Sequence, residues 1–199
     1  MPGKGPIPAE YAIVGIAPST KRPAGRKIEP FGSNSYAIIS GLRRRFPSIY
    51  VTNLVKTPTP PGTRIPKRVT DFWTPILLHE LSLVKAKRIL TLGDVPARAL
   101  CNHFSGLRED HGTFFWNPEL EAWVVPTFHF SAGARNPSFQ PYINRDLQRF
   151  FELPDPSMEA NYEIVEDVST LDIPYRTTVT LDLETTGLEI DCSITQLGL

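Results

Sequence analysis

The chain has 199 residues, 41% of them apolar and 21% charged, an ordinary globular composition with enough apolar surface for a sizeable core. No run approaches the ~20 apolar residues that span a membrane, and Met1-Pro-Gly-Lys-Gly-Pro lacks the apolar core of a signal peptide, so an intracellular protein without a membrane partner is expected. The formal net charge of zero hides a split: residues 1–152 hold 20 Lys and Arg against 11 Asp and Glu, and residues 153–199 hold one against ten.

A basic module joined to an acidic one suggests that the first meets a polyanion, since Lys and Arg contacts to phosphate supply the sequence-independent part of nucleic-acid affinity. A solvated basic surface is the alternative. Cys101 and Cys192 are too few for a four-thiolate site and too far apart for a disulfide framework.

In chain order, the apolar run Tyr11 to Ile16 predicts a buried strand ending at Ala17-Pro18-Ser19, followed by a long loop rich in Pro, Gly and basic residues. A helix is predicted from Asn34 or Ser35, with Tyr36, Ile38, Ile39 and Leu42 on one apolar face and Arg43, Arg44 and Arg45 in its last turn. Ile49 to Val55 reads as a second strand, and a Pro-rich loop runs from Thr57 to Lys67. Thr70 or Asp71 then caps a helix that buries Ile76, Leu77, Leu81 and Val84. Arg88 to Gly93 is a third strand leading into a helix over Pro96 to His103. Gly112 to Trp116 and Ala122 to Pro126 flank a turn and predict a strand pair before a last helix, Gln140 to Phe151.

Strand and helix therefore alternate, which predicts an α/β fold: a mainly parallel sheet between two helical layers. Ligands of such sheets bind beyond the carboxyl ends of the strands, so the loops after Ile16, Leu54, Leu92 and Val125 are where chemistry is expected. Leu153 to Glu159 reads as a linker, with residues 153–160 joining the first domain, 1–152, to a new unit at 161–199. In that unit Tyr162-Glu-Ile-Val and Thr178 to Glu184 are strand-like, and Ile194 to Leu199 opens another strand. Too few residues follow to enclose a second core, so this unit is expected to be the incomplete start of a domain.

Four segments occur in an order that resembles the uracil-DNA glycosylase superfamily, in particular its family 4 and family 5 branches. They are Gly15-Ile-Ala-Pro-Ser, Pro30-Phe-Gly, Tyr50-Val-Thr-Asn-Leu-Val-Lys and Thr127-Phe-His-Phe-Ser-Ala-Gly-Ala-Arg-Asn-Pro. The resemblance covers about three quarters of the chain. It implies a domain that binds DNA, single-stranded or template, and flips a uracil or related pyrimidine into a pocket to hydrolyse its glycosidic bond.

The resemblance further implies that Gly15, Ala17 and Pro18 line the base, that Phe31 stacks on it, and that Asn53 reads its O4 and N3–H edge with an amide that both donates and accepts. His129 would stabilise the departing base, while Ser131, Arg135 and Asn136 grip the flanking phosphates. Ile16 stands where family 4 carries an acid, so Asn34 or Ser33 is left either to position water or to cap the following helix. The same pocket without turnover would make a uracil-sensing or template-binding module. Phe130 replaces the usual Pro after the His. The cysteines that hold the family 4 iron-sulfur cluster are absent, with Thr57 where one would stand, so no cofactor is expected in this domain.

Thr180-Leu-Asp-Leu-Glu-Thr-Thr-Gly-Leu resembles the first motif of DnaQ-like 3'-5' proofreading exonucleases, which implies Asp182 and Glu184 as ligands of Mg or Mn in a complete domain. A glycosylase-like module before such an exonuclease resembles the amino-terminal part of a phage-type family A DNA polymerase. That implies the rest of a polymerase chain as partner and, if phage-encoded, the cytoplasm of a bacterial host.

Overall fold

The computed structural model describes residues 2–18, 30–31, 33–60 and 62–156, and, for the backbone alone, 182–185 and 194–198. Two compact units are present, Met1–Pro156 and Ser157–Leu199. The first contains strands β1 (Tyr11–Gly15), β2 (Ile49–Asn53), β3 (Arg88–Leu92), β4 (Phe115–Asn117) and β5 (Ala122–Thr127). Its helices are α1 (Ser33–Arg45), α2 (Lys67–Val84), α3 (Asp94–Leu100), α4 (Leu107–Asp110), α5 (Phe130–Arg135) and α6 (Gln140–Glu152).

One five-stranded sheet has the order β2-β1-β3-β5-β4. β1 pairs in parallel with β2 and β3, β3 with β5, and only β4 runs antiparallel, against β5. Alternation along each strand sends side chains to two cores. Ala12, Val14 and Ile89 face a cluster completed by Leu77, Leu81 and Val84 of α2 and Leu100 of α3. Ile13, Leu90 and Leu92 face the other, closed by Ile39 of α1, Phe130 of α5 and Ile143 and Phe150 of α6. The result is the expected three-layer α/β/α sandwich with a mainly parallel sheet.

The edge strand β2 is covered by the amino-terminal arm, where Lys4 and Val51 exchange both backbone hydrogen bonds at 2.8 Å. This pairs the donor and acceptor at the middle of β2, on an edge that would otherwise be open to another strand. At the amino end of β3, the Arg88 guanidinium donates to Asp155 Oδ1 at 2.6 Å, Phe150 O at 2.6 Å and Leu153 O at 2.7 Å. Leu153 and Asp155, expected in the linker, are thus held against the first unit.

Several local expectations are corrected. α2 starts at Lys67, behind Pro66, so Thr70 and Asp71 lie in its first turns instead of capping it; proline's preset φ begins the helix with no side-chain cap. Tyr36 and Ile76 are 47% and 42% exposed, because each sits at the margin of an apolar stripe that faces the sheet through its neighbours. α3 ends at Leu100, not His103, and residues 130–135, expected as a loop, form α5.

In the second unit β6 (Asp182–Thr185) pairs antiparallel with β7 (Ile194–Gly198), with Asp182 opposite Gly198 and Glu184 opposite Gln196. The expected strand at Tyr162 to Val165 and the first residues of the one at Thr178 lie outside the described residues.

Candidate functional site

The chain leaves β1 toward β2 on one side, whereas β3 is followed on the other side by β5. The adjacent β1 and β3 therefore open a crevice at their carboxyl ends. Gly15, Asn53, Gly93 and His129 all stand at this end of the sheet. The loops after β1 and β2 run on side by side: Leu54 N–H donates to Gly15 O and Val55 N–H to Ile16 O, both at 2.9 Å, and Thr59 N–H reaches Pro18 O at 2.9 Å. Backbone ladders extended beyond the strands hold the Gly15, Ala17 and Pro18 segment in place.

Gly15, Phe31 and Asn53 are brought together. A Cβ on Gly15 would overlap Asn53 Oδ1 and lie 2.6 Å from Phe31 Cε1, so only glycine lets the amide and the ring approach here. Phe31 is 7% exposed. Asn53 is buried and its Nδ2 donates to Pro30 O at 2.6 Å, which fixes which end of the amide is which. Its Oδ1 has no partner. Among the described residues only Asn53 Oδ1 and Thr91 Oγ1 are buried side-chain polar atoms in that condition, and such an atom normally costs free energy unless something comes to pair it.

His129 and Ile16 both approach Gly93. A Cβ on Gly93, which has φ +95°, would contact Ile16 Cδ1 at 3.5 Å and His129 Cβ at 4.0 Å. His129 caps α5: its Nδ1 accepts from Ser131 N–H at 3.2 Å and lies 2.8 Å from Ser131 Oγ. A backbone N–H can only donate, so Nδ1 carries its lone pair and the ring proton is on Nε2. Burial, and secondarily the positive charge of Arg135, hold the imidazole below its ordinary pKa. The site therefore presents a neutral imidazole with Nε2–H as donor, and position 16 carries an apolar isoleucine.

The remaining expected residues fall around α5. Ser131 spends its hydroxyl and N–H on His129, Arg135 is exposed with Nε donating to Ser131 O at 3.2 Å, and Asn136 is exposed, its Oδ1 accepting from Ser138 N–H at 3.1 Å. Phe130 is buried in the core as the first residue of α5. The side chains of Ser33 and Asn34 lie outside the described residues, although both backbones belong to α1. For Asp182 and Glu184 the backbone alone is described, two residues apart on β6.

Cys101 is buried beyond α3, its thiol pushed up to about 12 by burial first and by Asp110 second, the profile of an inert core thiol. No group of three or more His, Cys, Asp and Glu that could hold a metal occurs among the described residues.

Sequence reasoning missed the polar groups that support this site. Asp146 of α6 is fully buried, accepts from Thr127 Oγ1 at 2.7 Å and lies 2.9 Å from His111 Nδ1, so the end of β5 is tied to α6 two residues before His129. Lys56 and Glu80 pair behind Asn53. A single sequence carries no signal that pairs these residues across the fold.

The family model for the uracil DNA glycosylase superfamily matches residues 2–151. A protein of Pyrobaculum aerophilum named type-4 uracil-DNA glycosylase is 29% identical over 163 residues, covering 76% of this chain and 81% of the relative. One of the same name from Sulfurisphaera tokodaii is 27% identical over 167 residues, covering 77% of this chain and 74% of the relative.

Proposed function

The chain belongs to the uracil DNA glycosylase superfamily, and from that premise we propose that it flips uracil, or a closely related modified pyrimidine, out of DNA and hydrolyses its N-glycosidic bond. The observation that carries this reading is the unpaired, buried Asn53 Oδ1 beside the Phe31 ring. Uracil offers N3–H to that acceptor, whereas cytosine would turn an N3 lone pair toward it and leave two acceptors face to face. Phe31 stacks on the flipped base, and the Gly15, Ala17 and Pro18 segment lines it.

His129 acts as a neutral donor. Its Nε2–H bonds uracil O2 and stabilises the negative charge that gathers on the base as the bond from N1 to the sugar breaks. Water then adds its oxygen to the sugar carbon, with Asn34 orienting it, and the departing base takes up a proton. Arg135 and Asn136, with Ser131 next to His129, contact the phosphates of a single-stranded or template strand.

A second reading is favoured by one observation, the apolar Ile16 at the lip of the site. With no carboxylate there to activate water, the same pocket would sense uracil or hold template without turnover.

For domain organisation we propose a glycosylase-like domain at 1–152, a linker at 153–160, and the start of a DnaQ-like exonuclease at 161–199. Support comes from the Thr180 to Leu188 motif and from the spacing of Asp182 and Glu184 on β6. Those two carboxylates suit Mg or Mn but form a partial ligand set. The whole is proposed as the amino-terminal part of a phage-type DNA polymerase acting in the cytoplasm of a bacterial host.

The test is alkali-revealed cleavage of uracil-containing and normal oligonucleotides by the full chain and by His129→Ala and Asn53→Ala. Cleavage confined to uracil and lost in both variants is expected. Uracil-selective binding without base release would establish the sensing module instead, and equal binding to all bases would reject both.

A further inference from the structure

Asn53 must be placed within tenths of an ångström, because its amide fits a slot between Pro30 O and the bare Cα of Gly15. Behind that residue lies a buried polar network. Lys56 Nζ donates to the Asn53 carbonyl at 2.7 Å, to Thr52 Oγ1 at 2.8 Å and to the Glu80 carboxylate. Glu80, on α2, accepts from Gly3 N–H at 2.9 Å, from Tyr50 OH at 2.8 Å and from Thr52 Oγ1 at 3.0 Å. One carboxylate therefore gathers the amino-terminal arm, β2 and, through Lys56, the turn that follows Asn53. The side chains of Lys56 and Glu80 are 8% and 17% exposed.

A buried ion pair is a poor source of stability, since desolvating two charges costs as much as their attraction returns, and apolar residues of similar volume commonly do as well. What apolar residues cannot do is bind a carbonyl. The Lys56 ammonium binds Thr52 Oγ1, the Asn53 carbonyl and the carboxylate that holds Thr52, so the pair acts directly on the peptide that carries the Asn53 amide.

We propose that Lys56 and Glu80 are a positioning pair that holds the Asn53 amide in its base-reading orientation and thereby sets selectivity for uracil. The positioning follows from the geometry of this network, and its consequence for selectivity rests on the base-reading role proposed above.

The experiment uses the full chain as wild type, Lys56→Met, Glu80→Gln and the double variant Lys56→Met/Glu80→Gln. Each single variant leaves one buried charge without its partner and lowers Tm. The double variant removes both charges and recovers most of that loss. Two readouts separate positioning from simple structural support: the Asn53 side-chain amide resonances in 15N–1H spectra, and KM against kcat on uracil and cytosine oligonucleotides.

We expect the recovered double variant still to show shifted or broadened Asn53 amide signals. Its KM for the uracil substrate should rise about tenfold, the loss equivalent to one net hydrogen bond, with kcat little changed. A double variant that regains Tm, wild-type Asn53 signals and wild-type discrimination overturns the proposal. Displaced Asn53 signals in a protein whose wild type shows no preference for uracil would uphold the positioning and reject the base-reading role instead.

Discussion

At the scale of single residues the site depends on two features of opposite kind, an absence at Gly15 and a protonation state at His129. Adding one methyl at Gly15 drives a carbon into Asn53 Oδ1 and the Phe31 ring. Gly15→Ala should cost about 1–3 kcal/mol by overpacking and abolish uracil-selective binding, checked by urea denaturation beside an oligonucleotide titration; unchanged binding would mean the base lies elsewhere. His129 is held below its ordinary value of 6.5 by burial and by Arg135. A histidine depressed in the folded state contributes stability above its unfolded pKa and loses it as pH falls through the folded one. Excision rate and stability should therefore hold steady through pH 6.5 and fall only on the acid side of it, with Arg135→Gln moving the inflection upward. The placement of Asn53 and His129 at the carboxyl ends of strands was legible because each stands in a short motif after a β-branched run, whereas the lone pair on Nδ1 was not, since it depends on α5 forming.

Elements matter here because strand ends carry the site and helices decide where those ends point. The strands were readable from β-branched, alternating runs, and their parallel order from the helices between them. α5 was not, because Phe130-Ser-Ala-Gly-Ala-Arg has a mid-helix glycine and no Ser, Thr, Asp or Asn cap; His129 supplies the cap instead. Exposure of Tyr36 and Ile76 was equally hidden, since spacing defines a stripe but not its centre. Besides α5, which His129 caps, α6 holds the strand end before it through Asp146. This carboxylate, 0% exposed, accepts from Thr127 and faces His111 Nδ1, while Gly112, at φ +75°, leaves room for it, with a Cβ there only 2.5 Å from Asp146 Oδ1. Asp146→Ala leaves the Thr127 hydroxyl and the His111 N–H buried without an acceptor and should lower stability by about 3 kcal/mol. Asp146→Asn keeps a carbonyl for Thr127 and should lose about 1 kcal/mol. Denaturant melts measure both, and equal losses in the two variants would show that the charge, not the hydrogen bond, holds β5 to α6.

Over the whole molecule, charge is distributed in a way that neither fold nor motif requires. Residues 157–199 contain nine acids and one arginine, and residues 1–156 contain 20 Lys and Arg against 12 acids. Local ion pairs such as Lys67–Asp71 and Arg98–Asp94 are exposed and contribute little to stability, so the excess is available to a polyanion. If the basic unit engages about three phosphates of a single strand, the logarithm of its affinity should fall with the logarithm of salt at a slope near −2, or roughly 20-fold between about 50 and 200 mM. Residues 1–156 alone should bind more tightly than the full chain at low salt, because the acidic residues repel the same phosphates, and the two should converge as screening shortens the Debye length to about 8 Å and below. Fluorescence anisotropy on a labelled oligonucleotide across that range distinguishes the cases. A flat salt response would remove electrostatics from the account of binding and leave the proposed base contacts at Asn53 as the source of affinity, whereas a steep response with no difference between the two proteins would assign the acidic segment a role apart from DNA.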